Sequence, residues 1–349
     1  MRIASISKPL TASGMALLWQ RGKIDFDLPI QTYVPEFPVK KFEEKEVTIT
    51  TRHILTHMSG IRNYIKADEF NKASSKHKIV KIMEEGSEWH NKTHFSDTQS
   101  SLEIFKDDSL VHAPSTRYLY STLAWTLLSA VIETAAKQSY LTFMHNNVFT
   151  PYKLYSTHED KNSPILSHRS KNYVRKSNKL TNTPYVDNSY KWAGGGFLSN
   201  VLDISRFANT MLGFYQGVYQ LSSERIEEVD SSNEYALSQG IVRKMWACQT
   251  ETNDKGVCIG LGWFIKPNLE QLRVRSEDES ARFSVFHSGG AVGASSYLLI
   301  LPRGEEGVHE GTKDVPSGIV IAIIGNLENI SFSRLISEIG EDLYSVAYE

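Results

Sequence analysis

Ala4-Ser5-Ile6-Ser7-Lys8-Pro9-Leu10-Thr11 decides how the rest of the chain is read. Pro9 lacks a backbone N–H, which costs nothing only in the first turn of a helix, so a helix is predicted to begin near Ser5. Leu10, Gly14, Leu17 and Leu18 then keep one face apolar, and Arg21, Gly22 and Lys23 mark its C-terminal end. Residues three apart share a helix face, which places the Lys8 amine beside the Ser5 hydroxyl. A serine hydroxyl is a weak nucleophile at neutral pH, and a lysine kept neutral by burial can take its proton. Ser7 has no lysine three residues on. Ser75-Lys76-His77-Lys78 repeats the spacing, but in a polar, lysine-rich stretch.

Working outward, Ile24 to Pro38 reads as an extended connector, and Thr51 opens a short helix closed by Ser59-Gly60. Asp68 to Asp108 is polar and reads as solvated surface without chemistry. Leu127, Leu128, Val131 and Ile132 predict a helix over Leu123 to Ala136, so Tyr120-Ser121-Thr122 stands at its entrance. Tyr155-Ser156-Thr157 has a similar form, but no apolar helix follows it. Asn200 and Asp203 mark the start of another helix over Ser199 to Leu212. Arg282 to His287 and Ser296 to Leu301 read as strands joined by a glycine-rich connection, Ser288 to Gly293. Ser317 to Gly325 is apolar throughout and reads as a central strand. Phe332, Leu335, Ile336, Ile339, Leu343 and Val346 form the apolar face of a final helix that should cover the sheet. Helices in the middle and strands late predict an α+β fold.

The 349 residues are enough to bury a substantial core. Lys+Arg of 38 against Asp+Glu of 40 gives a net charge of −2, which supplies no strong field for nucleic acid or an anionic membrane. The apolar run Gly318 to Gly325 is far shorter than the roughly twenty residues a spanning helix needs, so no transmembrane segment is expected. Cys248 and Cys258 have no histidine neighbours for a zinc site and read as two reduced, incidental thiols in an intracellular setting. No metal or cofactor is expected.

Three short elements, Ser5 with Lys8, Tyr120 with Thr122, and His287-Ser288-Gly289-Gly290, each lie at a predicted element edge where side chains can converge on a cleft. In this order they resemble the serine beta-lactamase and penicillin-binding-protein superfamily, in the branch of class C beta-lactamases, D-aminopeptidases and related esterases. Gly22-Lys23-Ile24-Asp25, Leu55-Thr56-His57-Met58-Ser59-Gly60, Ala193-Gly194-Gly195-Gly196 and Gly260-Leu261-Gly262-Trp263 extend the resemblance along nearly the whole chain. Tyr33 to Pro38, Asn182 to Phe197 and His287 to Ser296 are similar to the animal mitochondrial members of the family.

The resemblance implies a beta-lactamase/transpeptidase-like fold in which an antiparallel sheet is flanked by helices beside a mostly helical lobe. One domain is expected over 1–349, with the helical lobe at about 40–255 and the sheet lobe at 1–39 plus 256–349. Ser5 would attack an acyl carbon, Lys8 would ease removal of its proton, and Tyr120 would act as shared base and then acid. Backbone N–H groups of Ser5 and Gly290 would form the oxyanion hole, each typically worth about 3 kcal/mol of barrier. Thr122, Ser288, Gly289 and Gly290 would line the substrate, and the charge on His287 would change near neutral pH. Thr122 replaces the asparagine common at its position, which loosens any inference about substrate. The family also places a helix and two strands before its serine motif, whereas only Met1 to Ala4 precede Ser5 here. An N-terminally incomplete domain with an unpaired edge at Ser317 to Gly325 is therefore expected.

The function so implied is a serine hydrolase working through an acyl-enzyme on a peptide or acyl substrate. A peptidase or amidase is the first reading, with a link to mitochondrial lipid metabolism by resemblance. The alternatives are an esterase, or a homo-oligomeric scaffold with vestigial catalysis. Mitochondrial location follows from the resemblance, and a cytoplasmic one is the alternative.

Overall fold

Pro9 does lie in the first turn of a helix, α1 (Ser7–Gln20), which the chain enters through a 3-10 turn at Ala4–Ile6. The structure, a computed structural model, describes residues 1–72, 88–219, 235–267, 283–303 and 316–348; Ser75 to Lys78 and Arg282 fall outside them. Every residue of α1 from Ser7 to Leu18 is buried, so this is a core helix rather than the one-faced helix its spacing predicts. The other helices that shape the site are α2 (Thr51–Leu55), α3 (Ala124–Ala136), the short α4 (Trp192–Gly195), α5 (Val201–Gln216) and α6 (Ser333–Tyr348). Asn200 caps α5 by accepting the Asp203 N–H, and Gly217, at φ 70°, ends it.

Six strands form one antiparallel sheet: β1 (Thr250–Glu251), β2 (Cys258–Ile259), β3 (Phe264–Pro267), β4 (Phe283–Ala291), β5 (Ala294–Pro302) and β6 (Gly318–Gly325). Their spatial order is β6-β5-β4-β3-β2-β1. Side chains alternate across it. On one face Leu298, Ile300, Val320, Ala322 and Ile324 join a core that runs through Trp263, Phe207 and Met211 to Trp125, Leu128, Leu17 and Leu10. On the other, Tyr297, Leu299, Leu301, Ile319, Ile321 and Ile323 pack with Ile336 of α6. The α+β class and the beta-lactamase/transpeptidase-like architecture are both present.

Four local expectations are corrected. The predicted connection Ser288 to Gly290 is strand: β4 pairs with β5 as far as Ala291↔Ala294, leaving Val292-Gly293 as the turn, with Gly293 at φ 75°. β6 stands at one end of the described sheet instead of its centre, and it is apolar throughout because helices cover both of its faces. α6 packs through Ile336, Gly340 and Tyr344, with Phe332 just before it, while Leu335, Leu343 and Val346 are exposed. A Cβ at Gly340 would lie 3.2 Å from Leu301 and 3.3 Å from Leu299, so the glycine lets the helix settle onto the sheet along its own line. Finally, Cys248 and Cys258 form a disulfide, with Cα atoms 5.4 Å apart. The β1–β2 hairpin brings them together, and the argument for a reducing compartment lapses.

Candidate active site

Ser5 sits on the 3-10 turn, half-buried, one residue after Ala4, whose φ of 49° is uncommon for a side chain with a Cβ. That turn lies against β4 and β5. Ser296 Oγ donates to Ile3 O at 2.8 Å, and a Cβ at Gly289 would meet Ile3 O at 2.6 Å and the Ala4 Cβ at 3.0 Å. Gly289 therefore lets the strand touch the turn that carries Ser5. At Gly290 a Cβ would meet nothing, so that backbone borders open space. Ser7 is fully buried: its hydroxyl donates to Ala4 O at 2.7 Å and accepts the Phe197 N–H at 3.2 Å, which makes it a brace for the turn.

Lys8 is completely buried on α1. Its Nζ donates to Ser5 Oγ at 3.3 Å, Thr122 Oγ1 at 3.2 Å and Gly194 O at 2.5 Å, and it lies 4.7 Å from the Tyr120 ring centroid. No carboxylate pairs with it among the described residues. Burial first, and the nearby Lys191 second, hold its pKa well below the ordinary lysine value, which favours the neutral amine.

Tyr120 lies on the loop before α3. Burial pushes its phenol above the ordinary value, while hydrogen bonds with Ser5 and Thr122 pull the other way, so the phenol stays protonated. Thr122 is buried and in hydrogen-bonding reach of Lys8, Tyr120 and Tyr64, which matches the one donor and two acceptors of a hydroxyl. It serves the interior of the site rather than its opening. Tyr155 is 68% exposed and remote in role.

His287 on β4 is buried with its ring centroid 6.5 Å from that of Tyr120 and 5.0 Å from that of Phe264. Burial and then Lys8 push its pKa down to about 3, so the expected charge change near neutrality does not occur. Its Nδ1–H donates to Ser288 O at 2.7 Å, which leaves Nε2 as an acceptor without a partner among the described residues. Ser288 itself is exposed.

A segment that carried no assigned role in the sequence holds Tyr120 in place. His57, at φ 56°, accepts the Leu119 N–H on its carbonyl at 2.8 Å and the Ser121 N–H on Nδ1 at 3.2 Å. Its ring centroid is 4.3 Å from that of Tyr120. Arg62 O accepts from Ser121 Oγ at 2.7 Å, and Asn63 Oδ1 accepts the Thr122 N–H at 3.0 Å. Arg62 is anchored in turn by Glu88 at 2.7 Å and Asp108 at 2.6 Å, so the end of the supposedly solvated Asp68 to Asp108 stretch supports the site. The stretch Leu55 to Gly60 was recognisable as a signature, but nothing in its spacing pointed to Tyr120.

A beta-lactamase family model matches residues 1–334, and the chain belongs to the beta-lactamase family, whose members with this fold are serine hydrolases of beta-lactamase and penicillin-binding-protein type. It is a relative of the human "Serine beta-lactamase-like protein LACTB, mitochondrial": 35% identical over 382 residues, which span 95% of this chain and 68% of that protein. Among solved structures, a D-stereospecific amidohydrolase from Streptomyces sp. superposes with a TM-score of 0.68 at 20% identity, covering 97% of this chain and 86% of that one. The octameric penicillin-binding protein homologue from Pyrococcus abyssi does so with a TM-score of 0.67 at 22% identity, covering 99% and 65%. These two likenesses concern the fold.

Proposed function

We propose that the chain is a serine hydrolase that cleaves amide or peptide bonds through an acyl-enzyme, with Ser5 as nucleophile and Lys8 as its base. The carrying observation is the Lys8 amine, wholly buried, unpaired with any carboxylate among the described residues and 3.3 Å from Ser5 Oγ. Ser5 Oγ bonds to the acyl carbon as its proton passes to Lys8. The oxyanion so formed faces the backbone N–H groups of Ser5 and Gly290. Collapse breaks the C–N bond, and the Tyr120 phenol gives its proton to the leaving amine. Lys8 then restores Tyr120 through Thr122, which bonds to both. Water repeats the sequence to release the acid. The protonated state of Tyr120 supports its role as the acid and leaves the base role to Lys8. Neutral His287 and the Ser288–Gly290 edge would hold the substrate's polar end.

A fluorophosphonate probe is expected to label Ser5, and labelling that persists in Ser5→Ala would overturn the assignment. Faster turnover of acyl esters than of matched peptide amides would replace the amidase reading by an esterase. The human relative's name supports a mitochondrial location, tested by fractionation of cells that express the gene. The octameric Pyrococcus homologue and the exposed Leu335, Leu343 and Val346 of α6 support a homo-oligomer, which light scattering would reveal.

A further inference from the structure

The Cys248–Cys258 disulfide lies one strand away from the aromatic side of the site. β2 begins with Cys258 and pairs with β3 through Cys258↔Ile265 and Ile259↔Phe264. Phe264 is half-buried, with its ring centroid 5.0 Å from that of His287 and 6.5 Å from that of Tyr120, to which it is nearly parallel at 14°. The inner side of the β2–β3 connection is firmly held: Gly262, at φ 79°, donates its N–H to Leu55 O at 3.0 Å, and a Cβ there would meet the Ala12 Cβ at 2.7 Å. The outer side has less to hold it. β1 and β2 pair over two residues each, Thr250↔Ile259 and Glu251↔Cys258, and Asn253 to Gly256 at the tip are all exposed. A hairpin this short is marginal by its hydrogen bonds alone. The disulfide closes its base, joining Cys258 to the segment that follows the helix Gln239–Met245, and so limits the open states of this edge.

We propose that this disulfide is a redox-sensitive tether of the active site: intact, it holds β2 against β3 and keeps Phe264 beside Tyr120 and His287; reduced by a dithiol, it lets that edge open and slows attack by Ser5. Cys248 is exposed, whereas Cys258 is only 7% exposed, so a reductant meets the Cys248 sulfur first. One thiolate of the dithiol bonds to Cys248 Sγ, the Cys248–Cys258 bond breaks, and Cys258 leaves as a thiolate that takes up a proton. The second thiol of the reductant then displaces Cys248 and closes the reductant's own disulfide. The protein gains two electrons and two protons, and the dithiol loses them.

The bond spans a sequence separation of 10 at one end of the described sheet, so its loss leaves β4, β5 and β6 and the cores on their two faces in place. Opening is confined to a low-stability edge. On the site side of that edge the rings follow one another: His57 to Tyr120 at 4.3 Å, Tyr120 to Phe264 at 6.5 Å and Phe264 to Phe286 at 5.6 Å. Phe264 is the member of this row whose strand pairs with β2. Tyr120 in turn has its ring 4.7 Å from Lys8 Nζ, so a shift of Phe264 reaches the amine beside the nucleophile. Ser5 and Lys8 themselves stand on the entry turn and α1, which the bond does not touch. Reduction therefore lowers the rate and does not abolish it.

The test compares the full chain before and after treatment with dithiothreitol, the free thiols being counted by alkylation. Both thiols should appear without denaturant; a bond that stays closed in the folded chain overturns the switch. On reduction, backbone hydrogen exchange over Cys258 to Ile265 should quicken about tenfold or more while β5 stays protected. Fluorophosphonate labelling of Ser5 should slow about fivefold and recover on reoxidation. The double variant Cys248→Ser, Cys258→Ser should label at the reduced chain's rate and ignore dithiothreitol. Phe264→Ala should be slow already, and reduction should slow it less than about twofold further, because both changes act through one ring; a crosslink that merely stabilised the fold would slow both chains alike. Unchanged exchange, or labelling within about twofold in the two redox states, overturns the proposal. The labelling arm rests on Ser5 being the nucleophile, and the exchange arm does not. If the parent is not labelled in either state, the nucleophile falls, and exchange alone decides the tether. Should the double variant fail to fold, the two redox states of the parent decide.

Discussion

Two sets of buried cations lie within this molecule, and they are treated in opposite ways. Arg62 and Arg2 are each about as buried as Lys8, yet both meet carboxylates: Arg62 meets Glu88 and Asp108, and Arg2 meets Asp160 at 2.6 Å. Lys8 and Lys191 meet hydroxyls, a carbonyl and aromatic faces instead. A buried charge with a partner stays charged and holds structure together, whereas one without a partner gives up its proton. An arginine cannot do so, and a lysine can. The division of residue types follows that difference: guanidinium groups brace the loop behind Tyr120 and the N-terminal turn, and the proposed function gives the handling of protons to the amine beside Ser5.

This contrast can be broken most sharply at Lys8. Lys8→Arg puts a permanent cation where the neutral amine stands and so removes the base, and fluorophosphonate labelling should fall about a thousandfold; labelling within tenfold of the parent would place the base elsewhere. Arg62→Met should act on the opposite quantity. Leaving Glu88 and Asp108 without their cation is expected to cost about 3–5 kcal/mol in urea unfolding, as for a broken buried pair. The same measurement on Lys8→Met should show a change within about 1 kcal/mol, because a buried amine without a carboxylate is replaced by an apolar chain of similar length.

The smaller effect is one of pH. His287 is held near 3 in the folded state and returns to about 6.5 when unfolded, so the unfolded chain binds the extra proton between those values. Stability should therefore fall as the pH drops below about 6.5, by about 1.4 kcal/mol between pH 7.5 and pH 5.5, and stop falling near pH 3. His287→Gln should lack that share of the fall. Labelling, in contrast, should show no step near pH 6.5 that disappears with His287. A step lost in His287→Gln would show that the histidine charges in the folded protein.

Much of this site was legible because its parts are local. Ser5 and Lys8 are three residues apart, and a single turn brings them together. Tyr120 precedes a helix whose apolar period is plain, and His287 lies in a strand next to glycines. The misreadings came where the neighbours were remote. Ser288 to Gly290 looked like a turn because the segment is rich in glycine, whereas Gly289 is needed for close approach to Ile3 and Ala4. β6 looked central because nothing in its own run could show that helices cover both faces. Cys248 and Cys258 looked unrelated until a hairpin joined them.

The sequence by itself determined the residue types that can perform acyl transfer, their order, and the family that shares them. Those follow from spacings of a few residues and from short-range backbone preferences. Only the tertiary structure decided which ionisable groups are charged. That depends on burial and on partners: Lys191 is 183 positions from Lys8, yet its charge is one of the causes that depress Lys8. Two identical side chains can be a surface charge or a buried base. The medium around them makes the choice, and the medium exists only once the chain has folded.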